Sequence, residues 1–329
     1  MFLPTYRRAA LLPRALASLR TQTMTNWVCE LHNDDPTDPF PSDLLRELDD
    51  ARITLVTHER NLGPIATFNL FYQPTTEPFC ALLEDDNSWE PAFLERMLAA
   101  LSAYPDATLA WCNQRIARED HAGNILLTTE TVNPPSNEPA QLIKWGDFRQ
   151  VMGARHANGA MLLRSRAGQS FPTPVIPFGC VEAFRERMFP HPLVYVPEAL
   201  ATFTVTQASA RRDDHGNWGA ALVLLAASYL KHAALEDASL TQLCDHFRQQ
   251  SPPMTNELLA ASFLCIENRP LRRHMTWRDW IRFLLQLLRH PIIWRRTLRA
   301  RTLHPDWWSL LDHQTGARFG CAVPPTPSP

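Results

Sequence analysis

Apolar residues in the first hundred positions follow two alternating patterns. Four short apolar runs have the length and composition of buried strands, namely Phe2–Leu3, Trp27–Leu31, Ile53–Val56 and Phe79–Leu83. Between them, apolar residues recur three or four positions apart, the period of a helix, as at Leu12, Ala15, Leu16 and Leu19. The resulting β-α-β-α-β-α-β-α order predicts an α/β fold with a mostly parallel, Rossmann-like sheet and helices on both faces.

The rest of the chain is patterned differently. Strand-like runs at Leu109–Cys112 and Ala157–Leu163 are separated by irregular sequence, and a short helix is predicted around Glu182. From about residue 218 the pattern is helical. We therefore predict an α/β domain over 1–210, a helical and basic region over 211–320, and a disordered Pro-rich tail over 321–329.

Carboxylates cluster where two of the predicted strands end. Asp34 follows the second strand, and Glu84, Asp85 and Asp86 follow the fourth. Open α/β sheets bind their ligands at the carboxyl ends of strands. Adjacent carboxylates resist joint ionisation, and a hard divalent ion bridged to phosphate relieves their repulsion. An acidic loop that is simply solvated is the alternative for the triplet alone.

Charge is unevenly distributed. Residues 1–268 hold 21 basic and 31 acidic side chains, a net charge of -10, whereas residues 269–329 hold 11 and 3, a net charge of +8. This difference predicts an acidic body and a basic C-terminal region. Ten arginines and one aspartate lie between Arg269 and Arg301, among apolar residues at helical spacing. Such a helix suits an anionic membrane surface, or packs on the body or on another subunit. No recognised nucleic-acid-binding module accompanies the charge, so we do not expect nucleic acid as a partner.

Cysteine usage indicates a reducing compartment. The seven cysteines are odd in number and show no Cys-x-x-Cys spacing. No signal-peptide pattern follows Met1, and the longest apolar stretch, Trp218–Leu230, is shorter than a membrane span of roughly 20 residues. We expect a cytoplasmic protein. We leave open a peripheral contact of residues 269–308 with the inner face of the membrane. The oligomeric state is not predicted.

Four segments together resemble the family 2 glycosyltransferases, whose nucleotide-sugar-binding fold is called GT-A. They are Pro4-Thr5-Tyr6, Asn33-Asp34-x-x-Thr37-Asp38, Asn61-x-Gly63 with Asn69, and Glu84-Asp85-Asp86-Asn87. The resemblance is close over about residues 2–105 and looser to about 205. It implies an inverting transferase that moves a sugar from a nucleotide-diphosphate donor, most simply a UDP-sugar, to a hydroxyl of a glycan, lipid-linked or protein acceptor.

The resemblance also implies roles for individual residues. Those matching the nucleotide-sugar site are Thr5, Asp34, Asn61, Asn69, Asp85 and Gly159. Asp34 matches the position that contacts the base, and Gly159 the segment beneath the transferred sugar. Asp86 matches the ligand of Mg²⁺ or Mn²⁺, with Glu84 and His215 as further metal-ligand candidates. The family signature is commonly Asp-x-Asp, so the glutamate at position 84 is a departure.

The catalytic base of the family is an acidic residue at the start of a helix, followed by an arginine. Glu182 and Arg187 match those positions, with Glu186 as the second choice for the base. The usual acidic pair is missing here, because Val181 and Ala183 flank Glu182. A nucleotide-sugar-binding module without transferase activity, with a regulatory or scaffold role, is therefore the alternative function.

Overall fold

The structure is a computed structural model that describes residues 1–165, 169–206 and 215–321, without the side chains of residues 215 and 216. Contacts within the chain divide it into two units. The first contains Met1–Lys144, His156–Pro172 and Phe189–Ala210, and the second contains Trp145–Arg155, Thr173–Met188 and Arg211–Pro329. Two inner segments thus group with the C-terminal region. The domain boundary at residue 210 stays a prediction, and most of the Pro-rich tail lies outside the described residues.

Ten strands lie in the described parts of the first unit. They are β1 (Phe2–Thr5), β2 (Cys29–Asn33), β3 (Ile53–Thr57), β4 (Phe79–Ala81), β5 (Ser88–Trp89), β6 (Leu109–Glu119), β7 (Ile125–Thr131), β8 (Gln141–Ile143), β9 (Met161–Arg164) and β10 (Leu193–Val205). The four N-terminal apolar runs all contribute a strand, as predicted. The apolar run at 109–112 continues to Glu119, because its partners β9 and β10 pair with its first part and β7 and β10 with its second.

The first sheet is fully parallel, with β1 in register with β2 and β2 in register with β3. Leu82, just beyond β4, forms a parallel bridge to Phe2 of β1, and the Leu83 N–H donates to the Phe2 carbonyl at 3.0 Å. The carboxyl ends of β3, β2 and β1 and the segment after Leu83 therefore succeed one another along one edge.

The second sheet is mixed, in the order β4-β9-β6-β10-β5, with β7 also on β6 and β8 also on β10. Only β6 and β10 run parallel, and the other pairs are antiparallel. The prediction of a mostly parallel sheet thus holds for the first three strands and not for the second sheet. An apolar run that is buried on both faces has the same composition whichever way its partner runs.

Four helices complete the described first unit, namely α1 (Leu12–Arg20), α2 (Phe40–Leu48), α3 (Pro64–Phe71) and α4 (Phe93–Ala103). A 3₁₀ turn at Asn158–Ala160 precedes β9. Helix α1 buries the predicted stripe of Leu12, Ala15, Leu16 and Leu19. These side chains join Leu3, Leu31 and Leu83 in one hydrophobic core. Burial of this core fixes the strand ends that carry the polar residues.

The described second unit is helical. Its helices are α5 (Val181–Glu186), α6 (His215–Ala233), α7 (Asp237–Gln249), α8 (Thr255–Leu264), α9 (Trp277–Arg289), α10 (Pro291–Thr297), α11 (Ala300–Leu303) and α12 (Pro305–Arg318), with 3₁₀ segments at Phe148–Val151, Phe178–Cys180 and Ile266–His274. Residues 220–227 of α6 are all buried, which explains the longest apolar stretch in the sequence as the centre of this unit. No described helix is both long and apolar enough to cross a bilayer.

Candidate active site

Two acidic strand ends of the first unit lie on either side of Thr5. The Thr5 carbonyl accepts the backbone N–H of Asp34 at 2.9 Å. The Thr5 hydroxyl donates to the carboxylate of Asp85, which also accepts the backbone N–H of Tyr6. Thr5 is itself buried. One short strand therefore holds both predicted acidic ends together at one edge of the sheet.

Asp34 is buried, and both of its carboxylate oxygens contact protein donors. Oδ1 accepts the backbone N–H of Leu62 at 2.8 Å and lies 2.8 Å from His58 Nδ1. Oδ2 accepts the backbone N–H of Gly63 at 3.0 Å. A carboxylate has about four acceptor positions, so one is left for another donor. Asp34 thus fixes the loop that carries the exposed Asn61.

Asp85 and Asp86 are placed differently. Burial, and next the charge of Asp86, raises the pKa of the Asp85 carboxyl to about 7, against smaller opposing effects of Thr5 and of the Arg8 charge. A cation beside this pair would favour the ionised form of Asp85. Mg²⁺ and similar ions bind one or two carboxylates together with phosphate oxygens and waters. Asp85 and Asp86 therefore fit the predicted metal ion.

A cation of the protein lies beside the same acidic end. The Arg14 guanidinium, on α1, donates to the Asp86 carbonyl and to the Thr204 hydroxyl, the latter at 2.7 Å. Burial lowers the pKa of Arg14, and the charge of Asp86 opposes that effect. The contact with Thr204 of β10 thus helps to hold the positive charge of Arg14, which α1 carries, next to Asp86.

Glu84 is committed to a contact inside the acidic turn. Its Oε2 accepts the Asn87 side-chain amide at 2.7 Å, while Asn87 Oδ1 accepts the backbone N–H of Thr204 at 2.9 Å. A Cβ atom at Gly159 would lie 2.5 Å from Glu84 Oε2 and 2.9 Å from Asn87 Nδ2. Only glycine permits this approach without displacement of the turn. The structure therefore brings the predicted residues Gly159 and Glu84 together.

Asn69 and His215 are the remaining predicted site residues. Asn69 is partly buried on α3. His215 begins α6, but its side chain lies outside the described residues. Among the residues that the structure describes, no group of three or more His, Cys, Asp and Glu side chains is arranged to hold a metal ion. The metal-binding roles of Glu84 and His215 stay predictions.

The two glutamates proposed as base lie on the same short helix, α5, in different surroundings. Glu182 is in its first turn and partly exposed. Glu186 is fully buried, where it accepts the Gln150 side-chain amide and, at 2.5 Å, the backbone N–H of Arg155. Arg187 is also fully buried, and it donates to the carbonyls of Ala183 and Gln150. Glu186 and Arg187 are thus both held by buried contacts within the second unit.

The comparison with protein families addresses the first unit. Residues 1–161 match the family described as glycosyl transferase family 2. These residues belong to glycosyl transferase family 2. The match covers 161 of the 329 residues and agrees with the family predicted from the motifs. A further match, at 29% identity over 107 residues, is to the uncharacterized protein y4gI of Sinorhizobium fredii, and it covers 32% of this chain and 12% of that protein.

Solved structures share the fold of this chain. TarS 1–349 from S. aureus in complex with UDP-GlcNAc gives a TM-score of 0.56 at 13% identity, over 98% of this chain and 92% of that one. The same protein in complex with UDP gives 0.55 at 13% identity, over 97% and 91%. At this identity the likeness concerns the fold, which is of the predicted GT-A type.

Sequence reasoning missed an ion pair at the end of β2 in the family 2 domain. Arg7 Nε lies 2.6 Å from Asp35 Oδ2, and Thr37 donates to Asp35 Oδ1 through both its N–H and its hydroxyl. Arg7, followed by the Thr37 donors, holds the pKa of the Asp35 carboxyl at about 2. This pair joins the loops after β1 and β2. Its signal in the sequence was an arginine just after the first strand.

A chain of polar contacts behind Asp34 was also missed. His58 Nε2 lies 3.1 Å from His32 Nδ1, and His32 Nε2 lies 3.3 Å from the Glu30 carboxylate. The His32 ring stacks on Phe2, with ring centroids 4.2 Å apart, and burial lowers the pKa of His32. His32 lies on β2, and His58 directly follows the neighbouring parallel strand β3. Period-2 patterning in β2 could therefore have located His32, but it could not have located His58 as its partner.

Three tryptophans pack against other groups of the protein. Trp111 is buried in β6 against Tyr195, with ring centroids 5.0 Å apart. Trp145 carries the Arg187 guanidinium over its ring at 5.4 Å. Trp218 covers Gly179, where a Cβ atom would overlap the indole. Burial of large aromatic side chains accounts for each of these contacts.

Proposed function

We propose that the chain is an inverting glycosyltransferase that moves a sugar from a nucleotide-diphosphate donor to a hydroxyl of a glycan, lipid-linked or protein acceptor. The observation that carries the proposal is the position of Thr5, which hydrogen-bonds to Asp34 on one side and to Asp85 on the other. Two acidic strand ends joined at one sheet edge support neighbouring sites for the base and the diphosphate of such a donor. The UDP-GlcNAc complex of TarS supports a UDP-sugar as the first donor to test.

The base and ribose are assigned to the ends of β1 and β2. Asp34 keeps one acceptor position for an N–H of the base, and its other contacts shape the wall formed by Leu62 and Gly63. Asp85, which accepts the Thr5 hydroxyl, is placed to accept a ribose hydroxyl or to support the metal. Asn61 and Asn69 are proposed as further donors to the nucleotide, and Gly159 lies beneath the transferred sugar.

The diphosphate is assigned to Asp86 and Asp85 through Mg²⁺ or Mn²⁺. A divalent ion bound there supplies charge neutralisation for the leaving diphosphate. Arg14, which donates to the Asp86 carbonyl, adds a fixed positive charge beside it. Glu84 holds Asn87 and the turn in place. We therefore propose Asp86 and Asp85 as the main residues that bind the metal ion, with Glu84 and His215 in secondary roles.

We assign the role of general base, which deprotonates the acceptor hydroxyl, to Glu182. Glu182 takes the proton while the acceptor oxygen attacks the anomeric carbon opposite the departing diphosphate, which inverts that centre. The partial exposure of Glu182 favours it over Glu186, whose oxygens are buried among protein donors. We further propose a cytoplasmic location, supported by seven cysteines that are all free.

The experiment is a thermal-shift screen of nucleotide sugars with Mn²⁺, followed by a turnover assay with the donor that binds. A ligand at 100 times its Kd stabilises the folded protein by about 2.7 kcal/mol, which is readily seen. We expect a UDP-sugar to raise the melting temperature and to be turned over, and Asp86→Ala to lose turnover. Glu47→Ala, which removes an exposed carboxylate on α2, is the matched control. A donor that binds without turnover across a broad acceptor panel would favour the binding-module alternative.

A further inference from the structure

Helix α9 exposes an apolar stripe on the second unit. Trp277, Ile281, Leu284 and Leu288 are 67%, 47%, 53% and 78% exposed. Their spacing of four, three and four residues places them along one face of the helix. At 1.5 Å per residue the 13-residue helix carries this stripe over about 20 Å. Ile292 and Ile293 on α10 are exposed as well.

The opposite face of α9 is packed, so the stripe is not a disordered segment. Phe283 is buried and contacts Trp294 edge to face, with ring centroids 5.2 Å apart. Asp279 is buried, caps the helix through Thr276 and pairs with Arg248 at 3.0 Å. The orientation of α9 in its unit is therefore fixed by both apolar and charged contacts.

A row of arginines runs beside the stripe. Arg278, Arg282 and Arg289 are exposed and lie about 100° around the helix from the apolar residues. Within 269–301 the only acidic residue is Asp279, and it is buried against Arg248. Residues 269–301 thus supply no exposed acidic side chain that could neutralise the charge of the arginine row.

We infer that the exposed face of α9 is a docking surface for an anionic lipid membrane. Apolar side chains flanked by basic ones suit a helix that lies in the plane of a bilayer surface, with the stripe among the acyl chains and the arginines at the headgroups. A second copy of the chain suits this face poorly, because a two-fold contact would bring arginine rows together. Nucleic acid would leave the apolar stripe in water. The inference does not depend on the donor or on the transfer reaction.

Co-flotation of the full chain with vesicles tests the inference. We expect little binding to phosphatidylcholine vesicles and binding that rises with added phosphatidylserine and falls with salt. Removal of one arginine from the row should weaken binding about fivefold, given about 1 kcal/mol per basic residue at the surface. The charge variant is Arg278→Gln/Arg282→Gln/Arg289→Gln, and the apolar variant is Leu284→Gln/Leu288→Gln.

Two matched controls carry the same chemical changes elsewhere. Arg46→Gln/Arg96→Gln/Arg118→Gln removes three exposed arginines of the first unit, and Leu126→Gln/Leu127→Gln removes two exposed leucines of β7. We expect both controls to bind as the unaltered chain does. Unfolding temperature, measured on every variant, checks the fold.

Three outcomes would overturn the inference. They are equal binding to neutral and anionic vesicles, equal losses in the control and α9 variants, and no vesicle binding at all. If Leu284→Gln/Leu288→Gln instead abolishes a dimer seen by light scattering, a second copy covers the face. Loss of vesicle binding with unchanged sugar turnover on a water-soluble acceptor would keep this inference separate from the proposed function.

Discussion

The two acidic strand ends beside Thr5 differ in how their carboxylates are satisfied. Asp34 is buried among three protein donors, two of them backbone N–H groups of the loop that it fixes. Asp85 lies in a desolvated position next to a like charge, and the pKa of its carboxyl is raised to about 7. Asp85 also accepts the Thr5 hydroxyl and the Tyr6 N–H, so the feature that distinguishes it from Asp34 is the neighbouring charge of Asp86, which an added cation would offset.

The same contrast separates the two glutamates of α5. Glu186 is buried and accepts hydrogen bonds from Gln150 and from the Arg155 backbone. Glu182, one turn earlier, is partly exposed. In both places the residue type alone would suggest chemistry, and only the surroundings distinguish a structural carboxylate from one that can meet a ligand. Each variant below changes one member of a contrasted pair.

Asp86→Ala should have the largest effect. Loss of a metal ligand should reduce turnover about 1,000-fold, equivalent to about 4 kcal/mol of transition-state stabilisation. The variant keeps the Asp86 backbone carbonyl that accepts the Arg14 guanidinium, and thermal unfolding without donor checks that the fold is kept as well. Steady-state kinetics over a Mn²⁺ series measures the loss. Unchanged turnover would remove Asp86 from the site.

Glu182→Gln should come next, with turnover reduced at least about 100-fold and donor affinity unchanged. Glu186→Gln should do the reverse, with a lower unfolding temperature as its main effect, because a buried network loses its charge. Paired turnover and thermal-unfolding measurements on the two variants check this. If Glu186→Gln is the variant that loses turnover while it keeps its stability, the two roles are assigned the wrong way round.

Asp34→Ala should destabilise the protein by about 2 kcal/mol, since the N–H groups of Leu62 and Gly63 and the ring of His58 lose their acceptor. Chemical denaturation measures this change, and hydrogen exchange at Leu62 and Gly63 should speed up. Asp38→Ala, which removes a carboxylate that accepts the Phe40 N–H, serves as the control. A stable Asp34→Ala with slow exchange at those amides would contradict the structural part of the contrast.

Gly159→Ala should have a smaller effect on stability, about 1 kcal/mol, because the added methyl group displaces Glu84 and Asn87. Donor binding should weaken with it, since the acidic turn moves. Gly123→Ala is not a suitable control because its φ is +85°. Gly153→Ala is less crowded, with a Cβ contact of 3.1 Å to the Arg149 carbonyl, and it tests whether any added methyl group lowers donor affinity.

Much of the nucleotide-binding edge could be predicted from the sequence, because apolar runs followed by carboxylates locate strand ends. The antiparallel neighbours of β9 could not, since burial on both faces removes the alternation that shows strand direction. Arg14 contacts Asp86 across 72 positions, and the second histidine of the polar chain comes from a different strand. Contacts of that kind depend on register and loop conformation, which residue patterns do not encode. The burial of Glu186 likewise depends on Gln150, on a separate segment.

The central claim is that Asp85 and Asp86 beside Thr5 hold a diphosphate through a divalent ion. Calorimetric titration of UDP into the full chain, with Mn²⁺ and with a chelator, tests it most directly. We expect Mn²⁺ to strengthen UDP binding at least about tenfold, or about 1.4 kcal/mol, and Asp86→Ala to remove this gain while metal-free binding stays the same. Equal UDP affinity with Mn²⁺ and with chelator in the unaltered chain would contradict it.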